Sequence, residues 1–387
     1  MIAMAQEFFM KSSALVTPLL DASEDQDGVF ASAFSVLQKA IAERAFPAAT
    51  VAIAVEGRLV ALKGFGRFTY ESSSPSVSAA TLFDLASLTK VVATTTAAML
   101  LYQRGLLDLD APVAAIVPEF VADSRKDLRR REVTFRMLLA HSSGLPAYEK
   151  LFLKARTRDE LLHAAFITPL MADPGFRAEY SDIGFILLGV ALERLGDESL
   201  DRFCQREIFA PVGMTHTAFK PPAEMRGQIP PTADDRTFRG RIIQGEVQDE
   251  NASVLEGVAG HAGVFSTAAD LAQYANAMLG DSALVHSAII RRETIALFTC
   301  RESAPTGTSR ALGWDTPCAP SQSGKYFSPR SFGHLGYTGT SLWIDPDRQL
   351  SITLLTNRTW PDCSNQLIKQ VRPRFHDAVI QGLEATG

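Results

Sequence analysis

Residues 91–101 (Val-Val-Ala-Thr-Thr-Thr-Ala-Ala-Met-Leu-Leu) offer no polar face, and polarity returns only at Gln103-Arg104-Gly105. A helix of that kind is normally buried. Upstream, Phe34, Leu37, Ile41 and Ala45 recur at helical spacing and predict a helix over 30–46, closed by Pro47. Two apolar runs, 49–56 and 58–64, meet at Glu56-Gly57 and predict a β-hairpin. A serine-rich loop over 72–78, broken by Pro75, leads into the buried helix.

From about 105 to 290 the pattern becomes one of short helices and long loops, with helices predicted over 134–140, 156–166, 182–195 and 267–279. Gly196 ends the third. Strand patterns return over 310–315, 338–344 and 349–356, the last two joined by Asp345-Pro346-Asp347. An amphipathic closing helix spans 363–383 despite Pro373. No internal repeat is visible. These elements predict an α+β sandwich: one antiparallel sheet built from both chain ends, flanked by helices, with a helical lobe inserted. Residues 1–28 read as a loose lead-in ending in Glu24-Asp25-Gln26-Asp27-Gly28, and 29–385 as a single domain whose helical lobe covers about 105–290.

Composition narrows the classes. The 387 residues are 46% hydrophobic and 21% charged, which is ordinary for a soluble globular enzyme. A net charge of -5 and no basic run interleaved with aromatics argue against a nucleic-acid partner. No stretch approaches the roughly 20 apolar residues of a membrane span. The run after Lys11 is short and polar for a signal core, so the expected location is cytoplasmic; a cryptic signal starting at Met10 would make it periplasmic or secreted. Cys204, Cys300, Cys318 and Cys363 are widely spread and read as free thiols. With no His-Glu-x-x-His and no Gly-x-Ser-x-Gly, neither a metal hydrolase nor the usual α/β-hydrolase is indicated, and no cofactor is expected. Oligomeric state is not legible.

Three segments carry candidate chemistry. Ser87 and Lys90 sit three apart at the start of the buried helix and share one face. Burial and the positive end of the helix dipole both favour a neutral amine, which can take a serine proton. The plainer alternative is a capping serine and a snorkelling lysine. Tyr180 precedes an apolar helix capped by Ser181 or Asp182, and a phenol beside a lysine can relay a proton, although an isolated tyrosine is more often packed on its ring. Gly333, Gly336 and Gly339 permit close backbone approach, which suits amides aimed at an oxyanion and equally suits a ligand-free strand entry.

Together, Ser87-Leu88-Thr89-Lys90, Tyr180-Ser181-Asp182 and His334-Leu335-Gly336 resemble the serine β-lactamase and penicillin-binding-protein superfamily. The branch is similar to class C β-lactamases with their related esterases, D-amino-acid peptidases and muropeptide amidases. Supporting phrases are Leu138 to Leu145, Gly260 to Thr267 and Leu355 to Arg358. The resemblance covers about residues 30–380 and implies a β-lactamase/transpeptidase-like fold. It makes Ser87 the nucleophile and gives Lys90 and Tyr180 the general acid/base work. It places the oxyanion hole at the amides of Ser87 and Tyr337 and His334 beside Tyr180 or substrate, with Gly336 and Asp182 in the site.

Two departures stand out. Asp182 replaces the family's asparagine, and a carboxylate there favours the lysine's ammonium form, so Tyr180 is expected to carry more of the base role. His334-Leu335 replace Lys-Thr, which weakens the grip on a substrate carboxylate and argues against efficient penicillin hydrolysis. His141 and His261, in loop-like segments close to glycines, are candidates to border the cleft and touch substrate, against the plainer reading of structural hydrogen bonding; His163, His216, His286 and His376 are assigned nothing. The reading is a cofactor-free serine hydrolase of a small ester or cell-wall-derived peptide, with weak β-lactamase activity compatible. Its alternatives are a muropeptide amidase or D-amino-acid peptidase, hinted at by Val247 to Ala252 leading to Gly260-His261, and a non-catalytic scaffold.

Overall fold

The computed structural model describes residues 16–122, 127–280 and 289–386. The signal reading at Met10 and His286 lie outside the described residues. In chain order the main sheet comprises β1 (Leu20–Asp21), β2 (Ala48–Val55), β3 (Arg58–Gly66), β4 (Phe332–Leu335), β5 (Ser341–Asp345) and β6 (Leu350–Thr356). The spatial order is β1-β3-β2-β6-β5-β4, antiparallel except at β1, so strands from the two chain ends meet at β2–β6. The β2–β3 hairpin turns where predicted, with Glu56 at φ 50° and Gly57 at φ 74°, the double positive φ of a tight two-residue turn.

β2 is apolar without alternation because both faces are covered. Ala49, Val51 and Ile53 pack with Phe34 and Leu37 of α1 (Ala31–Ala42) on one face. Ala48, Ala52 and Ala54 face the larger core, which holds Met99 of α2 (Thr96–Gln103), Leu187 of α3 (Asp182–Gly196) and Leu271 of α4 (Ala268–Leu279). The closing helix α5 (Ile368–Thr386) packs Phe375 and Val379 onto the α1 side. This is the α+β sandwich that the pattern predicts, with the helical middle inserted between strands of one sheet.

Helix boundaries follow capping chemistry. Thr134, Thr157, Ser181 and Thr267 each accept an N–H from the first turn of their helix, and Thr157 forms a full capping box with Glu160. Several expectations are corrected. The first helix stops at Ala42 because the chain turns through Arg44 at φ 58°. Residues 16–28 are not loose: Val16 is buried and β1 adds an edge to the sheet. Residues 310–315 form a turn rather than a strand, with Gly313 at φ 84° and Arg310 bridged to Asp315. Residues 336–340 form a second turn, and β5 begins only at Ser341.

Candidate active site

Ser87 is presented by a short strained entry. Asp84 is buried, and its carboxylate accepts the amides of Ala86 at 2.8 Å and Gln248 at 2.7 Å. This local bonding holds Ala86 at φ 47°, a left-handed conformation that costs a residue with a Cβ about 1 kcal/mol. A single 3₁₀ turn, Ala86–Leu88, then opens into a π-helical turn, Lys90–Thr95, before α2 continues regularly. Every residue from Val91 to Leu101 is buried, as its lack of a polar face requires.

Lys90 is fully buried, with Nζ donating to Ser87 Oγ at 2.9 Å and to the His261 carbonyl at 3.0 Å. Asp182 Oδ1 lies 2.7 Å from the same nitrogen. Because Ser181 caps α3, the Asp182 carboxylate is free to face Lys90. Burial pulls the lysine pKa down, but Asp182 and Tyr180 outweigh it and the net shift is upward. The neutral amine that burial and dipole alone would give is overridden, as the aspartate in place of the family's asparagine leads one to expect: Lys90 rests as an ammonium.

Tyr180 closes the constellation, its hydroxyl donating to Ser87 Oγ at 2.7 Å. Burial and then Asp182 push its pKa up to about 12, against the pull of Lys90 and Ser87. At rest it is a phenol. The same carboxylate that charges the lysine disfavours phenolate.

His141 and His261 do not line open cleft; both are 1% exposed. His141 holds the Tyr180 segment from both sides, its carbonyl accepting Glu179 N–H at 2.8 Å and its Nδ1 accepting Ser181 N–H at 3.0 Å. Its ring lies 4.7 Å from that of Tyr180. His261 binds Asp249 at 2.9 Å through Nε2 and gives Lys90 its carbonyl. His334 is buried on β4 with its ring 5.9 Å from Tyr180. Burial, with nearby Arg310 and Lys90, holds His141 and His334 well below the usual imidazole pKa, so both are neutral. His376 is buried beside Ser341 and the carbonyls of Gln322 and Ser323, away from this cluster.

The 336–340 turn docks directly on the Ser87 entry. Thr338 and Thr340 hydroxyls donate to the carbonyls of Asp84 at 2.8 Å and Leu85 at 2.9 Å. A Cβ on Gly336 would stand 2.5 Å from the Leu85 carbonyl and overlap Thr340 Oγ1, so only glycine permits this approach. Among the described residues, neither the Ser87 nor the Tyr337 amide is engaged by a main-chain carbonyl. The Tyr337 ring is half-exposed, beneath the Arg358 guanidinium at 4.5 Å.

Sequence reasoning missed two groups. Arg310 places its guanidinium 5.6 Å over the Tyr180 ring, its carboxylate neighbour Asp315 being 3.9 Å away. Its only sequence context was a supposed strand. Arg372, in α5, reaches the 336–340 turn, a contact no local spacing signals. Among the described residues no cluster of three or more His, Cys, Asp or Glu could hold a metal, and no helix is long and apolar enough to cross a membrane.

Similarity to known proteins agrees with this geometry. The chain is 33% identical over 348 residues to an N-acetylmuramyl-L-alanine amidase of Bacillus subtilis (strain 168), covering 81% of this chain and 77% of that protein. It is 30% identical over 382 residues to an Escherichia coli (strain K12) protein named "Putative D-alanyl-D-alanine carboxypeptidase", covering 90% and 87%. Its fold matches the solved structure of EstCE1, a hydrolase with promiscuous acyltransferase activity, with a TM-score of 0.73 at 22% identity, covering 92% of this chain and 99% of that one. Residues 33–370 match the family model described as Beta-lactamase, and the chain belongs to that family of serine hydrolases.

Proposed function

We propose that this protein cleaves an amide bond in a carboxylate-bearing, cell-wall-derived peptide through an acyl-Ser87 intermediate. The observation that carries the reading is the placement of Ser87 Oγ 2.9 Å from Lys90 Nζ and 2.7 Å from the Tyr180 hydroxyl. At rest both neighbours donate to Oγ, so the serine proton can leave only after one of them gives up a proton. Asp182, 2.7 Å from Nζ, takes one from Lys90, and the freed amine accepts the proton of Ser87. Oγ then bonds to the scissile carbon, and the oxyanion is held by the Ser87 and Tyr337 amides. As the C–N bond breaks, Tyr180 protonates the leaving nitrogen and Lys90 reprotonates Tyr180. Asp182 then returns its proton to Lys90. Water attacks the ester, its proton passes through the same network to Oγ, and the acid product leaves.

Arg310 favours a carboxylate-bearing substrate over a neutral ester. It is a cation at the rim of the site, where His334 and Leu335 offer no charge. The amidase and carboxypeptidase names of the relatives support an amide as the scissile bond. The test is turnover of muramyl dipeptide, p-nitrophenyl acetate and a penicillin by the purified enzyme. Amide cleavage of muramyl dipeptide is expected; rapid penicillin turnover with the dipeptide untouched overturns the substrate class. In Arg310→Leu, KM for the dipeptide should rise about 10-fold, the weight of one charge-assisted hydrogen bond, with p-nitrophenyl acetate unchanged. An equal loss on both substrates would remove Arg310 from recognition.

Asp182→Asn tests the proton store. Asp182 raises both Lys90 and Tyr180, so its removal lowers both. Without that acceptor, turnover needs Lys90 already neutral, so the acid limb of the kcat/KM profile should move to higher pH. A profile identical to wild type would break the coupling.

A further inference from the structure

The 336–340 turn is held against Ser87 on one side and gripped by two buried arginines on the other. Arg358 Nε donates to the Tyr337 carbonyl at 2.7 Å. Arg372 is 4% exposed and spans three carbonyls of the same turn: Gly336 at 2.7 Å, Thr340 at 2.8 Å and Gly339 at 3.2 Å. Its remaining contact is Gln322 Oε1 at 3.0 Å, and the charge beside it is another arginine. A buried cation without a carboxylate is costly, and here its donors go to peptide oxygens.

The Gly336 carbonyl and the Tyr337 amide belong to one peptide plane. That bond is trans, so the C=O and the N–H point in opposite directions. A guanidinium fastened to the Gly336 oxygen therefore fixes where the Tyr337 N–H points. The threonine bonds to Asp84 and Leu85 put the Ser87 entry on the other side of the turn. A cation on the carbonyl oxygen also draws electron density from the same peptide and strengthens its N–H as a donor.

Resting on the acyl-Ser87 reading above, we infer that Arg372 is a positioning residue that aims and polarises the Tyr337 amide of the oxyanion hole through the Gly336 carbonyl. It touches no reacting atom and acts through one peptide bond.

Two variants test this. Arg372→Lys keeps a charge but cannot span three carbonyls; Arg372→Gln keeps donors without charge. Both are assayed with p-nitrophenyl acetate, per folded active site, and the acyl-enzyme carbonyl band is read by infrared difference spectroscopy. A misaimed donor should lower kcat by about 10- to 100-fold, short of the about 10²- to 10³-fold expected for a deleted one. KM should stay within about twofold, and the acyl carbonyl band should move to higher frequency as its hydrogen bond weakens. A merely structural role reduces the folded fraction and leaves the band in place. Wild-type kcat per folded site with an unmoved band in either variant overturns the inference alone. A wild-type enzyme that the ester does not acylate overturns the Ser87 reading and this inference with it.

Discussion

Ser87→Ala protein mixed with p-nitrophenyl esters or muramyl dipeptide should gain no acyl mass and should lose turnover by about 10⁴-fold or more. The wild type should show an adduct whose mass equals the acyl group added and one proton lost. The size of the effect follows from the site's construction. Lys90 and Tyr180 converge on Ser87 Oγ, with Asp182 against the lysine, and without that oxygen they have no nucleophile to activate. Residual rate would come from the oxyanion donors and substrate binding alone. The substitution removes one part-buried hydroxyl at the end of a well-packed entry, so folding should survive and thermal melting should change little. An adduct at full yield in Ser87→Ala would place the nucleophile elsewhere. A wild type with neither adduct nor turnover on any of these compounds would leave two readings, a narrower substrate or a scaffold.

The second large effect is expected of Lys90→Met, and it separates stability from chemistry. Methionine fills much of the lysine's volume but leaves the Asp182 carboxylate, only 15% exposed, without its cation. Breaking a buried ion pair from one side costs about 3–5 kcal/mol. The His261 carbonyl also loses its donor. Activity should fall by about 10²- to 10⁴-fold, the usual weight of a positioned proton-transfer group. The double variant Lys90→Met/Asp182→Asn removes the orphaned charge, so most of the stability should return while activity stays low. Denaturant unfolding and ester turnover on the four proteins of this cycle measure the two terms separately. Recovery of activity together with stability would reduce Lys90 to a structural cation and remove it from the proton path.

Much of this protein can be read along the chain, because short-range patterning governs local structure. Helical periodicity placed the helices that begin at Phe135, Arg158, Asp182 and Ala268 within a residue or two, and in the fold each is capped by a Ser or Thr. The Glu56-Gly57 pair marked the hairpin because both residues must take positive φ. Ser87 and Lys90 were legible for the same reason: they are one turn apart, and the apolar run behind them demands burial. Where backbone pattern competes with long-range packing, the reading failed. Residues 310–315 look strand-like, yet they bend through Gly313 against Thr95, where a Cβ would overlap the threonine hydroxyl.

The electrostatic state of the site belongs to the tertiary structure. Burial and the helix dipole, which are local, argue for a neutral lysine. Asp182, brought to 2.7 Å by α3, reverses that balance and also disfavours the Tyr180 phenolate. His141 and His261 sit beside glycines as cleft residues do, but folding turns one into the brace of Tyr180 and the other into a carbonyl for Lys90. Arg310 and Arg372 carry no local signature, since a guanidinium's role depends on which carbonyls and rings the fold delivers to it. Spacing along the chain determines which residues can share a turn. Only the folded chain sums desolvation and charge from segments far apart in sequence, and that sum decides where each proton rests.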